Sequence, residues 1–118
     1  MNQSQREAIF DFLLVAIYAD GTVKLSENSR LYELMSGLGW QSYQDPREYS
    51  DRAISRVRGV VENEGAMDPF LAAISARLVD DETRNMALIL FARLMEVDQS
   101  VADSEYETYS TAKRIFGV

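Results

Sequence analysis

Cysteine and histidine are both missing from this 118-residue chain. The first absence excludes disulfides, thiolate nucleophiles and sulfur-ligated zinc or iron. The second removes the commonest general base and the commonest transition-metal ligand. Proline occurs only at Pro46 and Pro69, each directly after an aspartate, which marks helix starts rather than a proline-rich linker. Long apolar runs are also lacking. The longest, Phe12 to Ala19, is far too short to cross a bilayer. Basic residues are the scarcer charge, 12 against 19 acidic, for a net charge of −7. Phosphate backbones and anionic lipid repel such a surface, so no nucleic acid and no membrane insertion are expected. Cations, basic protein patches or a homo-oligomer are the partners left. The residues Met1 to Glu7 do not carry the basic-then-apolar pattern of a signal peptide, and a cytoplasmic location is the expectation.

What is present reads as one helical domain over residues 1–118. Hydrophobic residues at 47% and charged residues at 26% are ordinary globular values, and the length suffices for a core without staples. A first helix is predicted from Ser4, with Glu7 completing a Ser-x-x-Glu capping box. It runs through Ala8–Ala19, apolar on nearly every face except at Asp11, and so reads as a central helix wrapped by others. Ser26 caps a second helix with Leu31, Leu34, Met35 and Leu38 inward, closed by Gly37 and Gly39, with Trp40 as a lid on the core. Asp45-Pro46 opens a third helix that buries Ala53, Ile54, Val57, Val60 and Val61, and Asp68-Pro69 a short fourth. Asp80-Asp81 starts a fifth, almost wholly apolar from Met86 to Met95 except for Arg93. Ser104 and Glu107 box the last, which Gly117 ends. The fold class is therefore all-α, a compact bundle of about six or seven helices.

Two stretches repeat one another. Asp20-Gly21-Thr22-Val23-Lys24-Leu25-Ser26-Glu27 is echoed by Asp98-Gln99-Ser100-Val101-Ala102-Asp103-Ser104-Glu105. In each an Asp closes an apolar run, a Val follows three residues later, and a Ser-Glu pair opens the next helix. The shift that carries Asp20 to Asp98 also carries Leu38-Gly39 to Phe116-Gly117. This spacing reads as an internal duplication, with two helix-loop-helix halves about a pseudo-twofold axis and a middle segment between them.

Ala19-Asp20-Gly21, Val23 and Glu27, with the second Asp98…Glu105 stretch, resemble the bacterial tellurite-resistance TerB family. The resemblance runs from about Glu7 to Gly117, and Gln99 departs from it where the family has glycine. It implies a compact all-helical domain, a role in tellurite resistance or stress response, and metal binding by clustered acidic loop residues.

Read as chemistry, Asp20, Glu27, Asp98 and Glu105 are the candidate metal ligands, with Asp103 nearby and Gly21 shaping the first loop. Converging carboxylates suit a hard divalent cation, calcium or magnesium. The competing account is that Glu27 and Glu105 sit at the positive ends of helix dipoles and the two Asp satisfy loop amides. An EF-hand is excluded, because its loop needs Gly at position 6, where Leu25 stands. Arg47, Arg52, Arg56 and Arg58 form a basic stripe, to be weighed against a merely solvated face. Tyr106, Tyr109, Ser110 and Thr111 lack any histidine base, no Gly-rich phosphate loop occurs, and the chain reads as non-enzymatic. The alternative to a cation-linked role is a metal-independent protein–protein interaction module. Asp11 and Arg93, lone charges in two apolar helices, are expected either to pair or to reach solvent separately.

Overall fold

The first helix is covered on every side, which follows from its having almost no polar face to leave in water. In the computed structural model, the described residues are 1–18, 25–40, 46–95 and 103–118, with the backbone alone described for 25–28, 46 and 103–105. They form six helices: α1 (Gln3–Tyr18), α2 (Leu25–Gly37), α3 (Pro46–Glu62), α4 (Met67–Leu78), α5 (Asp81–Met95) and α6 (Asp103–Phe116). No strand occurs among the described residues, and no helix there is long and apolar enough to cross a membrane. The all-α expectation is met.

Helix α1 packs against α2, α3, α4 and α5, while α6 closes the far side on α4 and α5. Every residue from Ala8 to Tyr18 is buried. Two aromatic groups grip it from either side. Phe10 meets Trp40 and Tyr49 with ring centroids 5.6 and 5.1 Å away. Phe12 stacks on Phe91 at 4.9 Å and meets Phe116 edge-on at 5.3 Å. Such pairs add about 0.5–1.5 kcal/mol beyond their area. Trp40 does act as the lid its position suggests.

The start of α1 differs from the Ser4 capping box. Asn2 and Gln5 form the box instead: the Gln5 amide donates to Asn2 Oδ1 and the Asn2 amide to Gln5 Oε1, both at 2.8 Å. The chemistry is that of Ser-x-x-Glu with amide side chains in place of hydroxyl and carboxylate. Ser4 lies within the helix, and its carbonyl accepts from Arg77 Nη2 at 2.9 Å. Gln5 Nε2 then reaches the Leu78 carbonyl at 3.0 Å, and Arg6 Nε the Leu38 carbonyl at 3.0 Å. Both acceptors lie at helix C-terminal ends, where carbonyls lack helical partners. The start of α1 thus pins α2 and α4.

Most of the other boundaries follow local chemistry, though α4 starts one residue ahead of its Asp68-Pro69 signal. α3 begins at Pro46 as the Asp-Pro signal predicts. Asp80 caps α5, its Oδ1 accepting from the Thr83 amide at 2.8 Å. α4 begins at Met67, and its N-cap residue Ala66 supplies no side-chain bond. Gly39 and Gly117 take φ of 78° and 72° at the ends of α2 and α6, the left-handed region open to glycine. Helix lengths match across the proposed duplication, 16 and 13 residues for α1 and α2 against 15 and 14 for α5 and α6. Packing is less symmetric, since α2 lies directly on α5 whereas α6 reaches α1 through the Phe116 ring.

Candidate functional site

Asp11 sits in the middle of α1 with only 2% of its surface exposed. A carboxylate there is costly unless bonded and paired. Its partners come from two other helices. Tyr49 of α3 donates its hydroxyl to Oδ1 at 2.8 Å, and Arg56, two turns along α3, places Nη2 2.8 Å from Oδ2. Arg77 of α4 approaches the same Oδ2 at 3.8 Å through Nη1. Arg56 Nη2 also lies 3.3 Å from the Tyr49 hydroxyl, closing a three-residue network.

This corrects the expectation for Asp11. It neither reaches solvent nor meets Arg93, which is exposed on α5. Arg56 leaves the solvated-stripe reading as well. Among its neighbours Arg47 lies over the Tyr32 ring at 5.4 Å and Arg58 over the Tyr18 ring at 5.3 Å, so these two hold aromatic surface. Tyr49 and Arg77 were not singled out by sequence reasoning. The spacing Tyr49–Ala53–Arg56 sets all three on one face of α3 and is the signal that identifies Tyr49.

The network opens into a cleft of about 410 Å³ lined by Glu7, Asp11, Tyr49, Arg52, Arg56 and Arg77, with Ala53 at its floor. Burial first, and then the Asp11 carboxylate, raise the Tyr49 hydroxyl well above the ordinary phenol range, so it stays a neutral donor. Burial works against the charge on Arg56, but Asp11 and Tyr49 outweigh it and hold the guanidinium charged. Electrostatically the site is a clamp that joins α1, α3 and α4.

A second concavity, about 480 Å³, runs beside α5. It is mainly apolar, with Leu38, Met86, Ile89 and Leu90 forming its walls and Glu82 and Arg93 at its edges. Ile89 is 53% exposed, one of few large apolar side chains in that condition among the described residues.

Asp20 and Asp98 lie outside the described residues, as does Gly21. Glu27 and Glu105 fall in the first turns of α2 and α6, where the backbone alone is described. Among the described residues no group of three or more acidic side chains is arranged to hold a metal ion. Tyr109 packs its ring 5.7 Å from Phe91, and Tyr106 is exposed.

No protein-family model, curated protein or solved structure matches the chain.

Proposed function

We propose that the chain is a non-enzymatic cytoplasmic helical domain of the TerB type, bacterial in origin, that acts in tellurite resistance or a related stress response through divalent-cation binding at its acidic junctions. One observation supports this reading above others. Both acidic stretches fall where one helix ends and another begins: α1 ends at Tyr18 and α2 starts at Leu25, α5 ends at Met95 and α6 starts at Asp103. Glu27 and Glu105 are each the third residue of their helix, and in the sequence Asp20 and Asp98 each stand five residues before the helix start. Brought together, four such carboxylates in a chain of net charge −7 would repel one another until a cation relieved them.

Thermal melting with calcium, with magnesium and with chelator tests the reading. A ligand bound only by the folded state at a hundredfold excess over Kd adds about 2.7 kcal/mol, a shift of several degrees or more for a domain of this size. Asp20→Asn with Asp98→Asn keeps shape and capping ability, and the double variant is expected to lose the response without losing metal-free stability. Identical wild-type melts under all three conditions sink the cation reading.

A second reading is a metal-independent interaction module whose acids only cap helices. The exposed Ile89 in its apolar groove favours it.

A further inference from the structure

The outer face of α5 has a symmetry that its own fold does not require. Asp81, Glu82, Asn85, Ile89 and Arg93 are exposed, Arg84, Met86, Ala92 and Met95 are half-buried, and Thr83, Ala87, Leu88, Leu90, Phe91 and Leu94 face the core. Glu82, Met86, Ile89 and Arg93 are spaced four, three and four apart, the repeat that keeps one seam of a helix toward a partner helix. Their chemistry is mirrored about the point between Ala87 and Leu88. Met86 is the counterpart of Ile89 on either side of that point, and acidic Glu82 is the counterpart of basic Arg93.

We propose that α5 pairs antiparallel with α5 of a second copy of this chain, about a twofold axis passing between Ala87 and Leu88. In that pairing Met86 faces the partner copy's equivalent of Ile89, and the two ends bring acid to base twice over. A twofold interface demands this reciprocity, with the first residue meeting the second and the second meeting the first. A different protein lying in the groove demands no relation between the two ends of the stripe. The helix dipole accounts for an acid in the first turn and a base in the last. It does not account for an isoleucine left half in water between them. Antiparallel alignment also sets the two dipoles head to tail.

The pairing is weak. Each copy carries −7, so general repulsion opposes association. One helix face with the edge of α2 gives an area at the low end of specific interfaces, below about 1,200 Å². The inference supplies a partner for the interaction-module reading and rests on that reading only for the need of a contact surface. The cation melts test that reading, and self-association is measured separately.

Sedimentation velocity over a concentration series is the test, with circular dichroism to show that each variant keeps its helices. Wild type is expected to move from monomer to dimer, and Ile89→Asp to stay monomeric. Glu82→Arg or Arg93→Glu alone sets like charges together at both ends and weakens pairing by roughly tenfold, about 1.4 kcal/mol. The double reversal restores acid to base at both ends without changing net charge, and is expected to return association to the wild-type level. A wild type that stays monomeric at every concentration overturns the proposal. So does a double reversal no better than the single ones, or an Ile89→Asp variant that still dimerises.

Discussion

Arg56 of α3 holds Asp11 of α1 through a 2.8 Å charged hydrogen bond, with the arginine side chain 51% exposed and the aspartate almost wholly buried. The two partners therefore differ in what they lose when separated. Arg56 can turn to water, whereas Asp11 cannot leave the core. Arg56→Met is expected to cost about 1–3 kcal/mol, the range for a buried polar group deprived of a partner. Adding Asp11→Asn should recover part of that loss, because the uncompensated charge is gone. Urea denaturation of the four species in a double-mutant cycle measures it, and strict additivity would show that the pair contributes nothing.

The Tyr49 hydroxyl, held protonated by burial and by Asp11, couples stability to alkaline pH. A group whose folded pKa is raised contributes stability that is fully present below its unfolded value, about 10 for tyrosine. That contribution is lost as pH rises beyond that value toward the folded one. Wild type should therefore lose melting temperature above about pH 10 more steeply than Tyr49→Phe. Parallel slopes for the two proteins would remove Tyr49 from the account.

At the other end of the scale, the Thr83 backbone amide, then its side chain, hold the Asp80 carboxyl below the ordinary aspartate range. Here the sign reverses. The stability is present above the unfolded value and is lost as pH falls through the depressed folded one. Asp80→Asn keeps the cap and should flatten the acid limb of the melting curve, while Asp80→Ala lowers stability at neutral pH. An Asp80→Ala variant that melts with wild type at pH 7 would contradict the capping role.

Val79 has φ 75° and ψ −50°, and the Asp80 amide bonds back to the Leu78 carbonyl at 2.9 Å. This is a γ-turn with positive φ, strained for any residue and most for a β-branched one. The residue is 67% exposed, so little packing is at stake. Val79→Gly should raise stability by a few tenths to about 1 kcal/mol, relief of strain outweighing glycine's entropy cost. A loss on chemical denaturation would mean that the valine side chain makes a contribution its exposure does not suggest.

The helices are legible in the sequence because their punctuation is local. Pro46, Asp80, Gly39 and Gly117 each act within a few residues of themselves, and the structure places helix ends at all four. Asn2 with Gln5 was hidden behind Ser4 with Glu7, since both patterns satisfy the same three-residue spacing and the hydroxyl–carboxylate version is the more familiar one. That Asp11 is exceptional is also local information: a lone acid in an apolar run. Its partner is not. Twelve basic residues compete for it, and only the packing of α3 and α4 on α1 selects Arg56 and Arg77 over Arg93. The exposure of Ile89 is equally illegible, because the sequence shows one apolar helix and not which face its neighbours leave bare.

Helix α1 precedes in the chain every helix that covers it. During synthesis its apolar surface emerges before any of that cover exists. It must wait through the translation of α2 to α5, tens of residues at roughly 5–20 per second, before burial on all sides is possible. For some seconds the nascent chain therefore displays a sticky helix of the kind that holding chaperones engage. Asp11 is then the one charged group on its apolar stretch from Ala8 to Tyr18.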